Sequence, residues 1–215
     1  MKSFFVFLVF LILGILVGLG YRSYFKNKII PSVNNPLPSE AFSIDTPPKD
    51  SLKGIVSQMS GDVFWESRVA TSPALINKLE MVQQGEEIQT GDDGKITWDF
   101  PNLLSVDVAK NSDVSLIQTL PTNLVLEQKD GQITYKKIGA SPVSIRALHL
   151  LISVETGQIK VIFSKKKDQV EVDTENGTAK VGYEDQNNIS QVVELDKNKQ
   201  FLFDDESRTG EFIGG

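Results

Sequence analysis

The chain's single histidine, His149, stands in the run Leu148-His149-Leu150-Leu151. To act as a general base it would need a carboxylate orienting one ring nitrogen and a nucleophile at the other, and no Gly-x-Ser-x-Gly motif occurs. Among apolar neighbours it reads as a strand residue on the polar face. Four acids offer a second chemistry. Asp92, Asp93, Asp99 and Asp107 would serve a polysaccharide hydrolase if two of them faced each other across a cleft. Asp92-Asp93-Gly94 is too short for a calcium loop, which needs oxygen ligands at alternate positions, and these acids read as solvated turn residues. Trp65 and Trp98 would stack on sugars if exposed, but each sits in an alternating run and reads as core. Lys136-Lys137 and Lys165-Lys166-Lys167 read as cover for a turn or an edge strand. Cysteine is absent, so thiolate nucleophiles, disulfides and Cys-type zinc sites are excluded. No phosphate-cradling glycine motif opens a helix. No catalytic, cofactor-binding or metal-ligating residue is assigned, no cofactor is expected, and the chain reads as a non-enzyme.

The elements that would position these residues are strands. In residues 85–116 apolar side chains fall at every second position: Ile96, Trp98 and Phe100, then Leu104, Val106 and Val108, then Val114 and Leu116. Successive strand side chains point to opposite faces, so each run offers one wall to a core. Turn residues separate the runs at Thr90-Gly91-Asp92-Asp93-Gly94, Phe100-Pro101-Asn102 and Lys110-Asn111-Ser112-Asp113. Similar strands flank this unit. Val63-Phe64-Trp65 follows Ser60-Gly61-Asp62 as an opening hairpin. The words Gly131-Gln132-Ile133 and Gly157-Gln158-Ile159 match, with a Gly-x-Ile or Gly-x-Val step also at Gly61 and Gly94, and read as recurrent hairpin chemistry. The spacing predicts an all-β fold, an antiparallel sandwich or roll of roughly ten to thirteen short strands.

Residues 4–20 carry no polar or charged side chain, and these seventeen residues are just long enough to span a bilayer. Tyr21, Arg22, Tyr24, Phe25, Lys26 and Lys28 form an aromatic and basic collar of the kind found at the lipid–water boundary. The segment reads as an uncleaved signal anchor. A cleaved signal peptide is the alternative, with small residues at Gly18-Leu19-Gly20. A literal charge count puts the collar in the cytoplasm, whereas the short leading tail suits export; the exported orientation is retained. Gly14 and Gly18 form the GxxxG spacing at which two spans pack, which offers a weak dimer. The layout is thus a transmembrane anchor with its collar over 1–28, a proline-rich linker over 29–53, a β domain over 54–203 and a polar tail over 204–215. The linker holds five of the nine prolines and reaches up to about 80 Å if extended. Setting aside Lys2, Arg22, Lys26 and Lys28 leaves 18 basic against 28 acidic residues, a net of −10 from residue 29 onward. Such a head suits neither phosphate backbones nor anionic lipid, and no nucleic-acid partner is expected.

With the residues laid out, a resemblance emerges. Gly85-Glu86-Glu87-Ile88-Gln89-Thr90-Gly91, then Gly94 and the alternation to Phe100, resembles the core signature of FecR-like domains. Val106, Asn111-Ser112 and Val114 to Leu116 resemble the family's next strand pair, and Leu124-Val125-Leu126 with Gly131-Gln132-Ile133 a later step. Val170-Glu171-Val172-Asp173-Thr174, through Val181-Gly182, resembles its strand–turn–strand module. Pro101-Asn102-Leu103-Leu104-Ser105 departs from the family's usual Asp-Gly-Ser turn. The resemblance implies an exported, membrane-tethered β domain; the few residues before Phe4 argue against the cytoplasmic sigma-handling role of the family's regulators. The functional expectation is a single-pass, cytoplasmic-membrane protein whose extracytoplasmic head is a non-enzymatic binding or scaffold module. Its partner would be an envelope protein or a cell-wall glycan. A FecR-type signalling component is the alternative, and an acidic-residue hydrolase a further one.

Overall fold

A computed structural model of the chain describes residues 46–213. The expected anchor and collar (1–28), the Gly14/Gly18 motif, most of the linker and the last two residues lie outside the described residues. Among those described there are fifteen strands and no helix. In chain order the first eight are β1 (Gly54–Ser60), β2 (Val63–Glu66), β3 (Ala74–Ile76), β4 (Met81–Val82), β5 (Glu87–Thr90), β6 (Lys95–Phe100), β7 (Leu104–Val108) and β8 (Asp113–Leu120). Then come β9 (Asn123–Lys137), β10 (Val143–Ala147), β11 (Leu150–Ser164), β12 (Gln169–Glu184), β13 (Ser190–Leu195), β14 (Gln200–Asp204) and β15 (Thr209–Ile213).

These strands make one continuous sheet that folds on itself into two layers. The first layer runs β3-β2-β5-β8, then the first halves of β9, β10 and the first half of β11, then the second half of β12 and β13. The second runs β4-β1-β6-β7, then the second halves of β9 and β11, then the first half of β12, β14 and β15. Three long strands therefore belong to both layers. Side chains of both layers enter one core, with Trp98, Phe100, Leu116, Leu126, Tyr135, Val161 and Val181 fully buried.

An extra residue inserted in a strand bends it and shifts which of its alternating side chains face the core. β9 buries Leu124 and Leu126 before the corner but Ile133 and Tyr135 after it. β11 likewise changes from Leu150, Ile152 and Val154 to Ile159, Val161 and Phe163. The corners are built at Gly131 (φ 82°) and Gly157 (φ 64°), a left-handed conformation that favours glycine. On β12, Gly177 pairs with Gly157, so the two strands bend together at a facing glycine pair.

Several expectations are corrected here. The matching Gly-Gln-Ile words are corners within continuous strands, not hairpin turns. The strands are not uniformly short: β9 and β11 have 15 residues each and β12 has 16. The sheet is mixed rather than antiparallel, because β10 runs parallel to β9, from Val143↔Leu124 to Arg146↔Glu127. A straight β9 would be about 43 Å from Leu124 to Lys137, but residues 138–142 reach only about 20 Å. The short return works because the bend at Gly131 brings the end of β9 back opposite its start. Ser60-Gly61-Asp62 is no hairpin either; β1 pairs with β4 and β6, whereas β2 pairs with β3 and β5. That turn carries the chain between layers, beside the β5–β6 crossing, where the Gly91 N–H donates to the Asp62 carbonyl over 2.8 Å. Lys136 and Lys137 end β9, an interior strand, with Lys137 Nζ donating to the Val154 carbonyl over 2.8 Å, while Lys165, Lys166 and Lys167 occupy the β11–β12 turn as expected. Residues 209–213 are ordered as β15, so strand structure continues beyond residue 203.

Candidate functional site

The hairpin between β10 and β11 ends on Ala147-Leu148-His149-Leu150, and Leu148 holds a left-handed φ of 53°. A bulky side chain rarely adopts that conformation, which persists only where its surroundings impose it. The turn thereby aims His149 at the β14–β15 tip, where its Nδ1 meets Asp205 Oδ1 at 2.9 Å and Oδ2 at 3.1 Å. Arg208, also left-handed (φ 49°), brings its Nε within 3.9 Å of the same carboxylate. Two turns distant in sequence are thus tied by one carboxylate. Between them opens a groove of about 400 Å³ lined by Arg146, Leu148, His149, Leu151, Glu184 and Arg208, with Leu150 beneath. His149 is therefore a turn residue, not a strand residue, and it does have an orienting carboxylate. Among the described residues no hydroxyl or thiol side chain lines the groove, so the arrangement orients an imidazole without offering it a nucleophile.

The acids named as a hydrolase pair are not brought across a cleft. Asp99 faces Ser105 and Asp107 faces Thr97 on the outward side of β6 and β7, with Thr97 Oγ1 donating to Asp107 Oδ1 over 3.1 Å. Asp93 Oδ1 accepts the Asp62 N–H at 3.0 Å, a turn contact. Trp98 is fully buried, as expected, and Trp65 packs against the core half-buried.

A second cluster lies where β5, β8 and β9 meet, beside a hollow of about 300 Å³. Glu87 accepts hydrogen bonds from Lys129 Nζ, from Ser115 Oγ (2.9 Å) and from Gln89 Nε2 (2.8 Å). Burial pushes the Glu87 carboxyl up, but these bonds overcome it and hold the group below its ordinary range. Asp113 loses the competition for the lysine. Burial first, then the Glu87 charge, push its pKa up to about 7, and among the described residues its buried Oδ1 receives no hydrogen bond. The folded state keeps a proton that the unfolded chain releases near pH 3.8. Its contribution to stability is therefore full below that pH and is lost as pH rises through about 7. In Asp113→Asn this decline is expected to flatten, with a higher melting temperature at pH 8 and little change at pH 4. Equal pH slopes for the two proteins in thermal unfolding would contradict the assignment.

The sequence reading missed Asp205, Arg146, Arg208 and the Glu87–Asp113–Lys129 cluster. The one signal at hand was compositional: of three arginines after residue 28, two line the groove. Against known proteins, no family model and no curated protein matches the chain. Among solved structures it is similar to two crystal structures, at 2.50 and 1.65 Å, of a candidate anti-sigma factor from Parabacteroides distasonis. Each gives a TM-score of 0.50 at 14% identity, over 59% of this chain and 58% of that one. The likeness spans little more than half of that protein, and what the two share is the fold.

Proposed function

We propose that this chain is a non-enzymatic envelope module of FecR-like kind, whose β head binds a protein partner as part of signal transduction across the cytoplasmic membrane. In this reading residues 4–20 anchor it, the proline-rich linker spaces it from the bilayer, and the head works on the extracytoplasmic side. The supporting observation is the fold shared with the candidate anti-sigma factor. It converges with the FecR-like run of residues 85–91, an argument from analogy of fold rather than from a reacting site. The tethered layout suits a relay, because a contact outside would act through a fixed span. Deleting residues 54–213 while keeping 1–53 is expected to shift transcription of a restricted gene set, as deletion of the whole chain does. An unchanged transcript profile in both strains would overturn the signalling role.

A further inference from the structure

Where β8 and β9 pair, Asp113 stands opposite Asp130 and Val114 opposite Gln128, which leaves Lys129 as the extra residue of a bulge. A bulge bends its strand and re-aims a side chain. Here Lys129 Nζ is turned onto the Glu87 carboxylate of β5. Glu87 pairs with Ser115 and Gln89 with Asp113, so Glu87 and Asp113 are diagonal neighbours on one face of β5 and β8. Two carboxylates thus compete for one ammonium, and Glu87 holds it. Asp113 is left with a contact of 3.4 Å from Gln89 Nε2, while its buried Oδ1 receives no hydrogen bond among the described residues. A carboxylate charge in that position is poorly compensated, whereas the neutral acid costs little.

The same groups border the corner of β9. Asp130, directly opposite Asp113, accepts the Gly131 N–H at 3.0 Å and the Lys165 N–H at 3.2 Å, both on Oδ1. One carboxylate therefore ties the bend of β9 to the β11–β12 turn. Ser112, beside Asp113 in the chain, accepts the Gln132 N–H on its Oγ at 3.0 Å. The charged groups facing Asp113 are Glu87 from β5, Lys129 and Asp130 from β9, and Lys165 from the β11–β12 turn, with Glu127 of β9 acting on Lys129. Ionising Asp113 adds a negative charge between Glu87 and Asp130, at the point where β8 holds the corner.

We propose that Asp113 is a proton-operated latch on the Gly131 corner. Protonated, it leaves Lys129 to Glu87, and the bulge and the corner stay closed. Ionised, it draws Lys129 from Glu87 and repels Asp130, so the corner and the β11–β12 turn loosen together. The closed form keeps a proton that a loosened, hydrated carboxyl releases at lower pH, so rising pH favours the loosened form. Burial and the Glu87 charge put the changeover at about 7, which makes the device responsive to the acidity around the head. It goes beyond the signalling reading and does not depend on it.

The test is amide hydrogen exchange on the full-length chain in lipid nanodiscs at about pH 6 and about pH 8, corrected for the intrinsic pH dependence of exchange. Protection over residues 127–133 and 163–167 is expected to fall about tenfold or more at the higher pH, while residues 200–213 keep theirs. Asp113→Asn, which cannot ionise, should keep its protection at both. Asp130→Asn retains an oxygen for the Gly131 and Lys165 N–H groups but removes the facing charge, and should show a smaller fall than the unsubstituted chain. Unchanged protection in the unsubstituted chain, an equal fall in either variant, or a loss spread evenly over the head would each overturn the proposal.

Discussion

Gly157→Val is expected to destabilise the head by about 2–5 kcal/mol, whereas Gly182→Val, on the partner strand, should be neutral or slightly stabilising. The difference is one of backbone, not of residue type. At Gly157 φ is +64° and an added Cβ would lie 2.1 Å from the Asn176 carbonyl oxygen. Valine there must abandon the left-handed conformation, push β12 away, or both. The facing Gly177 cannot yield, since its own Cβ position is 2.4 Å from the Thr156 carbonyl oxygen. Gly131 (φ +82°), 2.4 Å in the same sense from the Asn111 carbonyl oxygen, should behave as Gly157 does. At Gly182 the added side chain enters open space, and a β-branched residue suits a strand. Urea unfolding of the two variants checks this directly. Equal losses at 157 and 182 would mean that the long strands do not turn corners where described.

The second large effect is at the core. Trp98→Ala is expected to cost about 3–5 kcal/mol, a large share of the ~5–15 kcal/mol that holds a domain folded. Trp98 lies in the row Val56–Trp98–Val106–Tyr135–Ile159 across the second layer. It and its neighbours Val106, Tyr135 and Ile159 are fully buried. Gly54 exists to receive it: a Cβ on Gly54 would sit 2.6 Å from Trp98 Cδ1. Trp98→Phe, which keeps a ring in the site, should recover more than half of the loss. A melting temperature unaltered by Trp98→Ala would place the indole outside the core.

The stretch from β5 to β8 was legible because its signals are local. Ile96, Trp98, Phe100, Leu104, Val106, Val108, Val114 and Leu116 alternate in sequence, and all are fully buried. The turns between them declare themselves through Gly, Pro, Asn and Asp. Which layer each strand joins is not local, and this is where reading the sequence failed. A left-handed glycine serves a tight turn and a strand corner equally well, so Gly131 and Gly157 alone did not distinguish them. The change from even to odd buried positions does, and it was present in Leu124 and Leu126 against Ile133 and Tyr135. Parallel pairing of β10 follows from the β9 corner, so missing the one meant missing the other. At the groove, His149 finds its carboxylate 56 residues away at Asp205. No spacing rule links two hairpin tips that meet only once both layers are assembled. The raised Asp113 likewise depends on β5, β8 and β9 converging.

In the proposed function, an acidic β head is held by one span on the outer side of the cytoplasmic membrane. Protease added to spheroplasts, with an epitope at the C-terminus and a cytoplasmic marker followed alongside, tests it most directly. The account expects the epitope to be lost while the marker stays intact and a short N-terminal fragment remains with the membrane. An epitope protected until the membrane is lysed would place the head inside the cell and contradict the account.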